Sequence, residues 1–310
     1  MRILFIGGTR FIGLAMAKLA LQRGHQVDVF HRSHAITPGL ESAVHLVGDR
    51  STDLTALADG AWDAVIDTCA YRPGEIHAVA DALKGRGRHY VFVSTISVYA
   101  DDIPPACNED GALCDTQSIE LSASADLPID GLTYGPLKVL CEQAVRNRHP
   151  AHLIIRPSYV IGPYDPTDRF AHWVSRVAEG GSVDAPGPAQ AAMQFIDARD
   201  LAAFVISAVE RTIEGVFNLA APKPPFTFEQ FLNAIVLAVG PPGTKLHWLT
   251  AQEAIQSGQS FPMWAGGGPD GKLAMDIAAA QQAGLTTRPL ETSARDVLTW
   301  IQENHILSDR

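Results

Sequence analysis

The chain has 310 residues, of which 46% are hydrophobic and 19% charged, so it can bury a large core and is not a disordered polypeptide. Its formal net charge of −10 disfavours general binding to nucleic acid or to anionic membranes. The sequence has neither a signal peptide nor an apolar stretch of about 18 residues, and its four cysteines form no CxxC pair, so we expect a cytoplasmic protein without a metal site.

The first half of the chain alternates between strand-like and helix-like patterns. Strands are predicted over 2–6, 26–30, 44–47, 64–66 and 90–93. Helices are predicted over 11–23 and near 53–59 and 74–84. Continuous apolar runs are typical of parallel strands that are buried on both faces. The repeated units therefore predict a Rossmann-type α/β fold, a doubly wound parallel sheet with its ligand crevice at the carboxyl ends of the strands.

The second half is more mixed. Residues 101–131 are rich in Pro and Gly and predict a long irregular excursion, as do the shorter loops 184–190 and 262–271. The further helices are expected over 134–148 and near 169–179, 200–211, 227–239 and 291–303, and the strands over 152–155 and near 194–196 and 216–219.

These elements divide into two parts. The predicted dinucleotide-binding domain covers 1–157, with a contribution from about 194–219. A smaller α/β substrate-binding lobe is predicted over 158–193 and 220–310. This lobe is expected to lie over the crevice of the sheet.

A glycine-rich turn follows the first strand and leads into a helix. Its sequence is Gly7-Gly8-Thr9-Arg10-Phe11-Ile12-Gly13. A helix amino terminus offers free N–H groups, and glycine lets the backbone approach a pyrophosphate closely, so the turn predicts a dinucleotide site. Gly7 and Gly13 fit the outer positions of a GxxGxxG pattern, whereas Arg10 stands at the middle position. The alternative is an ordinary tight turn, which the position directly after a buried strand disfavours.

The end of the second strand bears on the choice of cofactor. No acid follows it to grip the ribose diol of NAD, and the sequence instead continues as His31-Arg32-Ser33. Arg32, with Arg10 or His31, is predicted to hold a 2′-phosphate, which favours NADP and leaves NAD as the alternative. Arginines directed to solvent or paired with acids are the competing interpretation. Asp49, after the third strand, is predicted either to accept from the adenine amino group or to bond to its own turn.

Tyr134 and Lys138 open a predicted helix. Residues four apart lie on one face, and a nearby ammonium is expected to lower the pKa of a tyrosine from about 10. Tyr134 would then act as an acid or base on a hydroxyl or carbonyl. Thr95, at the end of the fifth strand, is predicted to donate to the substrate oxygen, in competition with Ser94 and Ser97. Alternatively, these hydroxyls only satisfy backbone groups.

Together these features resemble the extended short-chain dehydrogenase/reductases, which include the NAD-dependent epimerase/dehydratase family. The similarity rests on the turn, the Tyr-x-x-x-Lys pair, Arg156-Pro157, Gly162-Pro163 and the segment Phe195-Ile-Asp197-Ala-Arg-Asp200, and it extends over nearly the whole chain. It implies pairing as a homodimer through the helices that flank the Tyr-Lys segment.

The resemblance also assigns roles to residues. It implies that Thr95, Tyr134 and Lys138 form a catalytic triad in which Lys138 lowers the pKa of Tyr134 and holds the nicotinamide ribose. It assigns Ala70 and Pro157 to the cofactor. It assigns Ser97 and Tyr159 to the substrate.

Departures from the family pattern narrow the function. Ile96 and Ser97 replace the acidic pair of sugar-nucleotide dehydratases, and Met193 and Tyr159 replace an Arg and an Asn of nucleotide-sugar epimerases. The first hypothesis is therefore a reductase or dehydrogenase that acts on a small-molecule carbonyl or secondary alcohol. The second is a sugar or nucleotide-sugar epimerase with tightly held cofactor. The third is a cofactor-sensing or RNA-binding relative, since the turn is similar to that of chloroplast stem-loop-binding proteins.

A segment after Gly162-Pro163 leaves two questions open. Asp168 and Arg169 are predicted either to form an ion pair or to contact the substrate. Tyr164, Phe170 and Trp173 are predicted either to line the substrate pocket or to form the core of the lobe, and the core is the commoner role for aromatic residues at such spacing.

Overall fold

The first strand is buried on both faces because its side chains alternate between two apolar layers. In the computed structural model the residues described are 1–117, 119, 126–266 and 270–304. Within the first strand, Arg2–Ile6, Ile3 and Phe5 pack into one apolar cluster, and Leu4 and Ile6 pack into another on the opposite side. A continuous apolar run thus becomes a central strand, as expected of a sheet that is covered on both faces.

The main sheet has seven parallel strands in the order β10-β6-β5-β4-β1-β2-β3. The strands of the chain are β1 (Arg2–Ile6), β2 (Gln26–His31), β3 (Val44–Val47), β4 (Trp62–Asp67), β5 (Gly87–Val93), β6 (His152–Pro157), β7 (Tyr159–Ile161), β8 (Ser182–Pro186), β9 (Ala192–Asp197), β10 (Gly215–Leu219), β11 (Ala221–Thr227) and β12 (Lys245–Leu249). The strand order reverses between β1 and β4, and this switch point is where a doubly wound sheet opens its crevice. The predicted fold class is confirmed.

Helices cover both faces of this sheet. The helices are α1 (Phe11–Gln22), α2 (Pro73–Leu83), α3 (Tyr134–Arg148), α4 (Arg169–Ala178), α5 (Ala198–Glu210), α6 (Phe228–Val239), α7 (Ala251–Gln256), α8 (Ala278–Gln282) and α9 (Leu290–Asn304). Helices α1 and α5 share the apolar cluster of Ile3 and Phe5, whereas α2 and α3 share that of Leu4 and Ile6. Because α3 begins at Tyr134, its first turn reaches the carboxyl ends of the strands.

A second core lies outside the main sheet. It is built from α4, α6 and α9 with strands β8 and β9, and it buries Phe170 and Trp173 almost completely. These two residues therefore belong to the core of this part, whereas Tyr164 is half exposed. Strands β7, β9 and β11 form a small mixed sheet, and β8 pairs in parallel with β12. The division at 157 and 194–219 remains a prediction, although α5 and β10 join the main layers while β9 does not.

Several elements differ from the prediction. The helix expected near 53–59 is a single 3₁₀ turn, Thr55–Leu57, and the loop expected over 184–190 begins inside β8. The sequence did not predict β7, β11 and β12. Strand β11 contains three prolines, which disfavour a strand in sequence but are tolerated here because β11 is an edge strand.

The irregular excursion over 101–131 contains neither helix nor strand in its described part. Its residues 118 and 120–125 lie outside the described residues. The same is true of 267–269, in the predicted loop 262–271, and of 305–310, at the end of the predicted lobe. Among the described residues, none of the helices has the length and apolar character needed to cross a membrane.

Candidate active site

The glycine-rich turn has room only for glycine at its two outer positions. Gly7 has a φ of +93°, and a Cβ atom there would lie 2.4 Å from the Thr68 hydroxyl oxygen. A Cβ atom on Gly13 would lie 2.8 Å from the Gly8 Cα atom, so these backbone segments touch directly. Phe11, which lies between these two glycines, is the first residue of α1 and has a φ of +40°. A tight turn with bare backbone at a helix amino terminus fits the diphosphate of a dinucleotide.

The other turn residues that the sequence assigned to a cofactor are accessible. Thr9 is partly exposed and Arg10 is exposed, and Arg10 makes no side-chain hydrogen bond or salt bridge with the described residues. Phe11 and Ile12 lie in the wall of the cleft described below. The side chain at the middle glycine position is therefore exposed and not tied to the turn by a hydrogen bond of its own among the described residues.

The residues after β2 and β3 differ in their surroundings. His31 is buried, accepts or donates one hydrogen bond of 2.8 Å with His45, and has its pKa lowered by burial, so it supplies no positive charge at neutral pH. Arg32 is exposed and makes no salt bridge with the described residues. Asp49 accepts a hydrogen bond of 2.8 Å from the Ser51 N–H, which is the turn role that the sequence left open beside adenine binding.

A cleft of about 490 Å³ opens at the carboxyl ends of the central strands. It brings together eight residues that the sequence placed in the site: Phe11, Ile12, Thr95, Ser97, Tyr134, Lys138, Pro157 and Tyr159. Another cavity of similar volume, about 500 Å³, lies beside the amino ends of β5 and β6 and contains none of these residues. The cleft is therefore the candidate active site.

Lys138 is held firmly at the floor of this cleft. Its ammonium donates to the backbone carbonyls of Ala70 at 2.9 Å and Val93 at 2.6 Å. It also lies 4.2 Å from the centre of the Phe92 ring. Burial lowers the pKa of Lys138. Ala70, which the resemblance assigned to the cofactor, thus acts on the lysine through its carbonyl group.

Tyr134 departs from the sequence prediction in its electrostatics. Burial raises the pKa of its phenol, whereas the neighbouring Thr95 hydroxyl and the charge of Arg169 act in the opposite direction. The predicted lowering of this pKa by Lys138 is therefore wrong for the structure described here, because burial outweighs the attractive charges. Tyr134 accordingly keeps its proton at neutral pH.

Ser94, Thr95 and Ser97, which follow β5, use their hydroxyl groups in different hydrogen bonds. Ser94 donates a hydrogen bond of 2.6 Å to the buried carboxylate of Glu142. Its hydroxyl proton is therefore not available to a substrate oxygen. Thr95 accepts a hydrogen bond of 3.1 Å from the Ser97 N–H and donates one of 3.2 Å to the Ser97 hydroxyl. Thr95 therefore does satisfy a backbone group, as the alternative proposed, but it also lies beside Tyr134 in the cleft.

A buried ion pair anchors α3 behind these residues. Arg156 on β6 donates to both carboxylate oxygens of Glu142 on α3, at 2.9 and 2.6 Å. Both side chains are almost fully buried, and Arg156 also donates to the Tyr99 hydroxyl at 2.9 Å. Because Glu142 lies one turn after Lys138, this pair fixes α3 against the sheet.

The cleft also contains residues that sequence reasoning did not assign to the site. Tyr71 packs its ring 6.2 Å from that of Tyr134, and Asp165, Arg169, Asp270 and Lys272 line the opposite side. Arg169 had been noted only as a partner for Asp168 or the substrate. The other four carry no motif and reach the cleft only through the folded arrangement of distant segments.

Comparison with known proteins gives consistent results. The model of the NAD-dependent epimerase/dehydratase family matches residues 3–220. The chain is 25% identical over 283 residues to a chloroplast stem-loop binding protein of 41 kDa from Arabidopsis thaliana, which covers 84% of this chain and 69% of that protein. It is 26% identical over 268 residues to 2-alkyl-3-oxoalkanoate reductase from Stenotrophomonas maltophilia, covering 78% of this chain and 77% of that protein. The solved UDP-glucuronic acid 4-epimerase from Bacillus cereus in complex with NAD superposes with a TM-score of 0.70 at 18% identity, covering 98% of this chain and 100% of that one.

Proposed function

The chain belongs to the NAD-dependent epimerase/dehydratase family, and on that premise we propose that it is a reductase of a small-molecule carbonyl compound that prefers NADPH. The observation that carries the proposal is the single cleft that brings Tyr134, Thr95 and Lys138 together. The similarity to a reductase of 2-alkyl-3-oxoalkanoates supports a carbonyl substrate. A homodimer remains a prediction from the family resemblance.

The proposed reaction is the reduction of a carbonyl to a secondary alcohol. The nicotinamide, when bound, supplies the hydride that adds to the carbonyl carbon. Tyr134 donates its phenolic proton to the carbonyl oxygen, and the raised pKa suits this direction because the phenol is protonated at neutral pH. A hydroxyl of Thr95 or Ser97 donates a hydrogen bond to the same oxygen. The reverse reaction oxidises the alcohol with Tyr134 as the base.

Lys138 has a positioning role in this scheme. Two of its three N–H donors are used by the carbonyls of Ala70 and Val93, so the third is left for the cofactor ribose, as the family resemblance implies. The Gly7–Gly13 turn would receive the diphosphate, and Pro157 would contact the nicotinamide end. Asp49 would accept from the adenine amino group with the oxygen that does not bond Ser51.

The preference for NADPH rests on charge. Arg32 is exposed after β2, the position where NAD-binding chains commonly carry an acid, and Arg10 is exposed at the start of α1. A 2′-phosphate would find unpaired guanidinium groups there, whereas His31 is neutral and offers only one ring nitrogen.

The test is turnover by purified protein with NADPH or NADH and a panel of aldehydes, ketones and 3-oxo acids. Tyr134→Phe should lower kcat about 1,000-fold, because a positioned acid contributes 10²–10⁴-fold, while NADPH binding stays within threefold of the wild type. Tyr164→Phe, an exposed tyrosine outside the cleft, serves as the control and should leave turnover unchanged.

Other outcomes separate the competing functions. Near-wild-type turnover by Tyr134→Phe would overturn the assignment of the proton donor. Bound cofactor that co-purifies and supports turnover without any addition would identify an epimerase instead. The net charge of −10 and the Tyr134–Lys138 pair disfavour RNA binding, which filter binding at physiological salt would detect.

A further inference from the structure

Arg169 and Lys272 are positively charged side chains on the far wall of the cleft, and of the two Lys272 is paired with Asp101. Arg169 is the first residue of α4, and it faces the same cavity as Tyr134. Its guanidinium carbon lies 5.1 Å from the centre of the Tyr159 ring, so the guanidinium rests on an aromatic shelf. Such stacking restricts the orientation of an arginine and leaves its hydrogen-bonding edge available.

The hydrogen-bond donors of Arg169 are largely unused. Its Nε donates to the Thr167 hydroxyl at 2.9 Å, and neither terminal nitrogen has a hydrogen bond or salt bridge with any described residue. Arg176, on the same helix, gives a contrast outside the cleft. Its two terminal nitrogens are satisfied by Glu179 at 3.0 Å and by the Ser182 carbonyl at 2.9 Å.

The charge of Arg169 acts on the phenol of Tyr134. It lowers the pKa of both Tyr134 and Tyr159 against the larger effect of burial. A partly buried guanidinium with two free terminal nitrogens is suited to bidentate binding of a carboxylate or phosphate. A substrate that reaches Tyr134 with its carbonyl group can therefore reach Arg169 with an acidic group.

The cleft as a whole is not strongly basic. Asp165 lies on the same wall and is 3% exposed; one of its oxygens is held by the N–H and hydroxyl of Thr167, at 3.0 and 2.7 Å. Asp270 lies nearby, and Lys272 is paired with Asp101. Since these charges nearly balance, selection of an anion depends on direct contact with Arg169 rather than on long-range attraction.

We propose that Arg169 binds an anionic group of the substrate, so that the substrate is an oxo acid or a phosphorylated carbonyl compound. The assignment of the reaction rests on the proposed function, but the binding of the anion does not. A single carboxylate or phosphate suits the one guanidinium with free terminal nitrogens that the described residues place on this wall.

The test uses three aldehydes that differ in one substituent: 4-formylbenzoate, 4-formylphenyl phosphate and methyl 4-formylbenzoate. The wild type should prefer at least one anionic aldehyde over the neutral ester by tenfold or more in kcat/KM. Arg169→Gln should lower kcat/KM for the preferred anion about 10- to 100-fold, mainly through KM, and leave the ester within twofold. The comparison of carboxylate with phosphate identifies the preferred group.

Two further variants make the result specific. Arg169→Lys keeps the charge but loses the planar pair of donors, so it should lose an intermediate part of the preference and remains informative if Arg169→Gln does not fold. Arg176→Gln, on the same helix, should behave as the wild type. Binding of the same aldehydes to the protein with NADP⁺, measured by titration calorimetry, gives a readout that needs no turnover.

The outcomes distinguish this inference from the proposed function. Binding of an anionic aldehyde that depends on Arg169 without reduction would overturn the function and support the anion site. Reduction that is equally fast in the wild type and Arg169→Gln for all three aldehydes would overturn the anion site alone. A wild type that shows no preference for either anion, in binding or in turnover, would also overturn it.

Discussion

Two sets of arginines in this protein differ in what satisfies their charge. Arg50 is mostly buried and Arg156 is fully buried beside the main sheet, and each is held by a carboxylate that is itself buried, Asp67 or Glu142. Arg10, Arg32 and Arg169 surround the open end of the sheet and make no salt bridge with any described residue. Within these two sets, the paired charges hold elements together, whereas the unpaired charges lie where a ligand is expected.

The physical reason lies in solvation. A charge that is removed from water needs an opposite charge or several hydrogen-bond partners around it, because the solvation that it loses costs several kcal/mol. The pair of Arg50 and Asp67 obeys this rule with further help, since the Tyr90 hydroxyl and the Cys69 N–H also donate to Asp67. These contacts lower the pKa of Asp67 although burial opposes them. An exposed arginine keeps its solvation, so it can remain without a carboxylate partner and still bind an anionic ligand.

Removing one partner of a buried pair should have the largest effect on stability. Glu142→Gln leaves the buried Arg156 charge without a carboxylate, so we expect the free energy of unfolding to fall by about 3–5 kcal/mol. Urea denaturation followed by tryptophan fluorescence measures the change. Glu179→Gln, which breaks the exposed pair with Arg176, should cost less than about 1 kcal/mol.

A second pair of variants sharpens this result. Replacing both partners, as in Glu142→Leu with Arg156→Met, should recover part of the loss, because an apolar pair leaves no charge unpaired. If Glu142→Gln and Glu179→Gln were equally mild, the distinction between structural and free arginines would not hold.

The unpaired group should respond in cofactor binding and not in stability. Arg32→Ser should raise the Kd for NADPH about 10- to 100-fold, since a charge-assisted contact to phosphate is lost, and leave the Kd for NADH within twofold. Fluorescence titration of NADPH and NADH checks this expectation, with Arg295→Ser on α9 as the control. The free energy of unfolding of the Arg32→Ser variant should differ from that of the wild type by less than about 0.5 kcal/mol.

The opposite preference would be equally informative. A wild type that binds NADH more tightly than NADPH would contradict the role given to Arg32. In that case the unpaired arginines at the cofactor end would be solvent-exposed residues without a ligand, and Arg169 would stand alone as the candidate anion site.

Sequence reasoning succeeded where the signal is local. The Gly7–Gly13 turn, the alternation of strands and helices, and the four-residue spacing of Tyr134 and Lys138 are each contained in a short segment. Both residues line the cleft as expected. Their chemistry depends on burial, which no spacing reports, so the direction of the Tyr134 pKa was predicted wrongly.

Other features of the site depend on contacts between distant segments. The role of Ser94 is decided by Glu142, 48 positions away. Asp270 reaches the cleft from a loop that the sequence described only as rich in Gly and Pro, and Lys272 reaches it from the 3₁₀ turn Gly271–Leu273 that follows. That Arg169 has no carboxylate partner among the described residues is also visible only when the neighbouring elements are in place, because its near neighbours in sequence include two aspartates.

His149 extends the comparison to a buried base without a charged partner. It stacks on Tyr90 with ring centres 3.8 Å apart, and its Nε2 has no hydrogen bond among the described residues. Burial lowers its pKa from 6.5 to about 4, so it stays neutral in the folded protein, whereas the unfolded chain takes up a proton below pH 6.5. Its contribution to stability is therefore lost as the pH falls from 6.5 towards 4.

This last effect should be the smallest, about 1–2 kcal/mol between pH 7 and pH 4.5. It is measured as the difference in urea stability between wild type and His149→Phe at each pH, because the phenylalanine preserves the stacking but cannot titrate. The advantage of the wild type over the variant should shrink as the pH falls. An advantage that is constant with pH would mean that the pKa of His149 is the same in the folded and the unfolded chain, so that burial beside Tyr90 does not disfavour the charged ring.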